Sequence, residues 1–179
     1  MDLLTQLLKE YPQKSDEYLC LTENVRKNPK DISAKAQLDR FMSLACRLAQ
    51  SVTWLGKTVG ITMDRPVGSP HPKRTEIRYP INYGYIDGVI SGDGEEFDVY
   101  LLGLSEPVEK YDAKIIGVIH RLDDVEDKLV ASADGKPQAA EYIKSSCFFQ
   151  EKYYNSEIIC LGSNDVFPGV TKSEQKGKA

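Results

Sequence analysis

The sequence predicts an α+β chain: a small closed or partly closed β-barrel with a C-terminal helix, preceded by an N-terminal helical extension. Three observations support this. Apolar residues recur at helical spacing through the first 55 or so positions. Short β-branched and aromatic runs broken by Gly, Pro and Asp follow from Lys57, and Gln138 to Tyr154 return to a helical texture.

The extension comes first. Leu3, Leu4, Leu7, Leu8 and Tyr11 form one stripe before Pro12, and Tyr18, Leu21 and Val25 continue in a second segment that ends near Asn28 and Pro29. Asp31 is a candidate N-cap for a third helix, in which Leu38, Phe41, Ala45, Leu48 and Val52 follow with gaps of three and four. None of these helices shows residues that carry chemistry. The expected strands are Thr58 to Met63, Tyr83 to Ile90, Phe97 to Leu102, Lys114 to Arg121 and Lys128 to Ala131, with turns at Ser91 to Gly94 and at Asp134-Gly135. The division that follows is an extension over 1–55, a barrel domain over 56–170, and a polar, Lys-rich tail over 171–179 that is expected to be disordered.

With 179 residues, 41% apolar and 28% charged, the chain can bury one principal core. A net charge of -4 argues against a protein that neutralises phosphates along a duplex. Tyr79, Tyr83 and Tyr85 lie beside acidic clusters, which argues equally against a single-stranded nucleic-acid groove. No apolar run reaches the ~18 residues that would span a bilayer, and the acidic, amphipathic N-terminus is unlike a secretory signal. Cys20, Cys46, Cys147 and Cys160 include no C-x-x-C pair. They are expected to be buried apolar residues in a reducing cytoplasm. The Leu-rich face of residues 3–11 needs a cover, from the barrel or from a second subunit in a homo-oligomer.

The chemistry is concentrated in three segments. Asp93, Glu95, Glu96 and Asp98 follow a glycine turn, and strand alternation would point Glu96, Asp98 and Tyr100 one way. Carboxylates converging on one spot suit a hard divalent cation, although the register and the missing twelfth-position Glu exclude an EF-hand. A second acidic cluster, Asp123, Asp124, Glu126 and Asp127, precedes Lys128. The third segment runs from Met63 to Arg74 and places Arg65, His71, Lys73 and Arg74 on a Pro/Gly-stiffened loop, where cations can hold phosphate oxygens. His120, inside an apolar strand, is expected to be packed rather than a ligand.

These segments resemble the soluble family I inorganic pyrophosphatases. DRPVGS at Asp64, YPINYGYI at Tyr79, DGEEFD at Asp93, DDVEDKLV at Asp123 and FFQEKYY at Phe148 stand in the order of that family's motifs. The resemblance implies an OB-like barrel and hydrolysis of pyrophosphate by in-line attack of a metal-bound water. It implies Mg2+ as cofactor, with Mn2+ accepting the same ligands. By the same resemblance Asp93, Asp98 and Asp127 would ligate an activating ion, Asp98 would be shared with a second, and Asp123 and Asp64 would serve ions that arrive with substrate. Lys73, Tyr83, Lys128, Lys152 and Tyr153 would hold phosphate oxygens, with Arg74 and Arg78 as candidate arginines.

The sequence departs from the family pattern at four places. Glu95 replaces the middle aspartate that resembles a general base. The segment before Tyr79 is short, suggests no hairpin and offers no clear phosphate-binding arginine. Lys128 directly follows Asp127, which in a strand turns the two to opposite faces. Lys152 precedes Tyr153, the reverse of the family order. Two other functions are therefore carried forward: hydrolysis of a larger phosphoanhydride such as a nucleotide, and a catalytically weak relative acting as a binding or regulatory module through its helices.

Overall fold

The computed structural model describes residues 1–72 and 74–172, with Arg74 described through its backbone alone. Three helices open the chain: α1 (Leu3–Glu10), α2 (Pro12–Lys27) and α3 (Ile32–Ser51). The Asp2 carboxylate caps α1 by accepting from the Thr5 amide at 2.9 Å. Pro12, whose ring fixes φ and which has no N–H to lose, starts α2. Asp31 caps α3 by accepting from the Ser33 and Ala34 amides at 2.8 and 3.2 Å.

The strands that follow are β1 (Thr58–Arg65), β2 (Pro70–His71), β3 (Arg74–Arg78), β4 (Asn82–Ile90), β5 (Glu96–Leu102), β6 (Lys110–Arg121) and β7 (Lys128–Ser132). Helix α4 (Ala140–Glu151) and strands β8 (Ser156–Cys160) and β9 (Val166–Pro168) complete the described chain. In the main sheet β1, β4, β5, β7 and β6 are neighbours in that order, and β1 also pairs with β6, which closes a five-stranded barrel. Closure depends on strands long enough to serve two partners. Thr58 to Thr62 of β1 pair with β6, while Thr62 to Arg65 pair with β4. Only the β5–β7 contact of the barrel is parallel. Beyond the barrel, β8 and β9 extend the sheet from β6.

The fold is thus α+β with an OB-like barrel, as the sequence predicts. Each of the five expected strands is present within a few residues. The expectation of no hairpin before Tyr79 is overturned, because β2 and β3 pair antiparallel there. A two-residue strand is too short to show alternation, and its proline is tolerated because it is the first residue of the strand. The strands β8 and β9 were likewise not anticipated. Of the cysteines, Cys147 and Cys160 are buried as expected, whereas Cys20 and Cys46 are exposed. Among the described residues no helix is long and apolar enough to cross a membrane.

One core cluster joins the helices to the barrel, with Leu7, Tyr11, Phe41, Ala45 and Leu48 against Ile61, Phe97, Val99, Leu101, Ile115 and Leu129. A second cluster seats Ile143 and Cys147 of α4 on Tyr100, Leu102, Ile116, Val130 and Ile158. Strand β5 therefore divides its side chains: odd positions face the first cluster, while Tyr100 and Leu102 face α4, on the side that also carries Asp98. Glycine is required where β1 and β4 close on each other. A β-carbon on Gly84 would lie 2.0 Å from the Thr62 carbonyl oxygen. Gly84→Ala is expected to destabilise the protein by about 1–3 kcal/mol or more. A fall in thermal midpoint would register this, and an unchanged midpoint would show that the strands part freely.

Candidate active site

Asp98, near the start of β5, is the centre of the polar face beside α4. Its Oδ2 accepts from the Tyr83 hydroxyl at 2.5 Å, an arrangement set by the cross-strand pairing of β4 with β5. The Lys128 ammonium donates to the same oxygen and also to Glu126 Oε1. Lys128 is almost fully buried, so its charge is matched by protein carboxylates rather than by water. Burial and the nearby Asp98 carboxylate push the Tyr83 phenol well above its usual range. It therefore stays a neutral hydrogen-bond donor.

Two carboxyls beside this centre, Glu126 and Asp64, are shifted upward. Burial raises Glu126 against the pull of Lys128, and the charge on Asp98 adds to the rise. Partial burial raises Asp64 on β1, with Arg65 opposing and Asp98 reinforcing. Glu126 Oε2 is buried with no hydrogen-bond partner among the described residues.

An orphaned carboxylate oxygen and two carboxyls raised by burial and by the charge on Asp98 are what a hard cation would relieve. Among the described residues no three His, Cys, Asp or Glu are clustered to hold a metal by themselves. Magnesium commonly takes one or two carboxylates and completes its shell with water and substrate phosphate. The donor set of Asp98 and Glu126, with Asp64 nearby, fits a magnesium ion of that kind.

Below the centre lies a buried arginine. Arg121, at the end of β6, is 1% exposed. It donates to both oxygens of Glu151, Nε to Oε2 at 2.9 Å and an Nη to Oε1 at 2.7 Å. It also reaches Asp124 at 2.7 Å and Glu126 at 3.3 Å, and lies 3.7 Å over the Tyr154 ring. The Tyr100 hydroxyl completes Glu151 at 2.6 Å. Burial alone would lower the Arg121 pKa, but Glu151 outweighs it and the guanidinium stays charged.

The other residues expected at the site are placed as follows. Asp93 caps its own turn, accepting from the Ser91 hydroxyl and the Glu95 amide at 2.9 Å each. Burial raises its carboxyl, these bonds outweigh that, and it lies below the usual range. Glu95 is exposed on that turn. Asp123 accepts from the amide and side chain of Asn155 at 2.9 Å and from Lys172 at 2.6 Å, which places it at the junction with the C-terminal segment. Lys152 lies 5.2 Å over the Tyr153 ring just past α4. Arg78 donates to the Gly68 carbonyl at 3.1 Å within the hairpin loop. Lys73 and the Arg74 side chain lie outside the described residues, as do residues 173–179 of the tail.

Asp127 differs most from expectation. It is 1% exposed and turned away from Asp98. Its Oδ1 accepts from Arg47 Nε at 2.9 Å and from His120 Nδ1 at 2.8 Å, and its Oδ2 accepts from the Ser51 hydroxyl at 2.7 Å. Burial pushes this carboxyl up, but His120, Arg47 and Ser51 hold it below the usual range. Glu126 faces the centre in its place: in the loop that leads into β7 it alternates with Asp127, so that it and Lys128 share one side. That alternation was the available signal for Glu126. Arg47, Ser51, Arg121 and Glu151 gave no comparable signal.

The inorganic pyrophosphatase family model matches residues 59–155. Solved structures that resemble the chain include inorganic pyrophosphatases from Helicobacter pylori, Neisseria gonorrhoeae and Ehrlichia chaffeensis. The H. pylori protein is 17% identical, with 43% of this chain and 56% of that one covered and a TM-score of 0.34. The N. gonorrhoeae protein is 25% identical, with coverages of 52% and 71% and a TM-score of 0.39. For E. chaffeensis the values are 18%, 60% and 88%, with a TM-score of 0.45. The alignment thus spans little more than half the length of the H. pylori protein. No curated protein matches the chain.

Proposed function

Because the chain belongs to the inorganic pyrophosphatase family, we propose that it hydrolyses inorganic pyrophosphate to two phosphates and depends on magnesium. The observation that carries this reading is the Tyr83–Asp98–Lys128–Glu126 group with the unpartnered Glu126 oxygen. Asp98 and Glu126 would hold magnesium, with Asp64 in support. When bound, it supplies neutralisation of phosphate charge and a more acidic attacking water.

The chain's own residues do the rest. Lys128 has three donors, two of which already fix its position on Asp98 and Glu126, and the third is available to a phosphoryl oxygen. Tyr83, kept neutral by burial, donates its one hydroxyl proton to Asp98 and so holds that carboxylate in place without adding charge. Arg121, beneath, keeps Glu126 and Asp124 from repelling an incoming anion. Glu95, on the turn that Asp93 caps, is the proton acceptor for the attacking water in this reading.

A second reading, a relative that binds metal and phosphate with slow turnover, is favoured by the withdrawal of Asp127 into the protein. Phosphate release from pyrophosphate with Mg2+ and with EDTA separates the two. Turnover that EDTA abolishes, and that Lys128→Met reduces by about 10²–10³-fold, supports the hydrolase. No turnover of pyrophosphate or of ATP with either Mg2+ or Mn2+ would overturn it.

A further inference from the structure

The helical extension reaches the acidic segment through side chains of α3: Arg40 donates to the Leu122 carbonyl at 3.1 Å, and Arg47 and Ser51 reach further in. Arg47, on α3, binds Asp127 through Nε, the Asp124 carbonyl at 2.7 Å and the Arg121 carbonyl. Ser51, one turn further along α3, takes the other Asp127 oxygen. Asp127 is flanked in sequence by Glu126 and Lys128, whose side chains point the opposite way into the site. Fixing Asp127 therefore fixes the rotation of the backbone that presents both neighbours.

The same arginine meets the other acidic segment. A β-carbon on Gly92 would lie 2.4 Å from the Val125 carbonyl oxygen and 3.6 Å from Arg47 Cδ. The turn that carries Asp93 and Glu95 thus rests directly on the segment that Arg47 grips. The Gly92 turn also lies against the stem of the side chain whose guanidinium holds residues 121–127.

We propose that Arg47, supported by Ser51, is a positioning residue: the helical extension holds residues 121–128 and the Gly92 turn in the geometry that aligns Glu126 and Lys128 on Asp98. This rests on the hydrolase reading for its kinetic consequence, but not for its structural one. The pair Lys14–Glu157, at 2.7 Å, supplies the control, since it ties α2 to β8 and Lys14 bonds Glu17 and Glu157 rather than residues 121–128.

The experiment compares Arg47→Met and Lys14→Met in the full chain, at a temperature where both remain folded. The readouts are kcat and KM for pyrophosphate with Mg2+, and amide exchange over residues 121–128. Arg47→Met is expected to lower kcat by about 10- to 100-fold, since misplacement of ~1 Å can cost that much, and to speed exchange in that segment. Lys14→Met is expected to lower the thermal midpoint while leaving kcat within about twofold and the segment's exchange unchanged. Arg47→Lys, which retains the charge on Asp127 but loses the fork to the two carbonyls, should fall between.

Equal kcat and equal exchange in Arg47→Met and the wild type would overturn the proposal. So would equal losses in Arg47→Met and Lys14→Met, which would mean that the extension acts through general stability. If the wild type does not turn over pyrophosphate, the hydrolase reading fails, and unchanged exchange in Arg47→Met would overturn the clamp separately.

Discussion

Asp98→Asn is expected to reduce pyrophosphate turnover by at least about 10²–10³-fold, with a fold that survives. The asparagine keeps the shape of the side chain and can still accept from Tyr83, and Lys128 retains Glu126 as a partner. What disappears is a negative charge at the point where Tyr83 and Lys128 converge. The variant would then hold magnesium through Glu126 with little help. Phosphate release with saturating Mg2+, alongside a circular-dichroism melt, provides the check. Wild-type turnover in Asp98→Asn would remove Asp98 from the site, and with it the choice of this face of the barrel.

The second large effect concerns stability. Arg121→Met would leave Glu151 buried with only the Tyr100 hydroxyl, and Asp124 and Glu126 without their shared cation. Breaking a buried ion pair by removing one partner costs about 3–5 kcal/mol, a large share of the ~5–15 kcal/mol that separates folded from unfolded domains. Urea denaturation would measure it. Adding Glu151→Leu to Arg121→Met should recover part of the loss, because the double variant removes the uncompensated charge. A double variant less stable than Arg121→Met would show that Glu151 contributes through other contacts.

The fold was legible where periodicity is long. Leu38 through Val52 repeat at helical spacing, and Asp31 caps the helix that this spacing predicts. The barrel strands from Thr58 to Ala131 carried enough β-branched residues between turns to be found. The β2–β3 hairpin lacked that length. At the site, Asp98, Tyr83 and Lys128 came from motifs, and the structure brings all three together.

Asp127 was drawn from the same motif, although its adjacency to Lys128 already placed the two on opposite faces. Applied one residue earlier, that alternation points to Glu126. Arg47 and Ser51 could not have been found this way. On a helical wheel they are polar residues beside an apolar stripe, and their partners lie 80 and 76 positions away. Burial of Arg121 and Glu151 is likewise a tertiary fact, since each occurs alone in an otherwise ordinary strand end or helix end.

The 80 residues that separate Arg47 from Asp127 also have a consequence for synthesis of the chain. Helices α1 to α3 leave the ribosome before the barrel, yet the core cluster that covers Leu7, Phe41 and Leu48 includes Leu129, which is made about 80 residues after Leu48. At bacterial or eukaryotic elongation rates of ~5–20 residues per second, the interval is about 4–16 s. For that time the leucine-rich face is a nascent amphipathic surface without its cover, and a chaperone that recognises such surfaces would meet this protein at these helices.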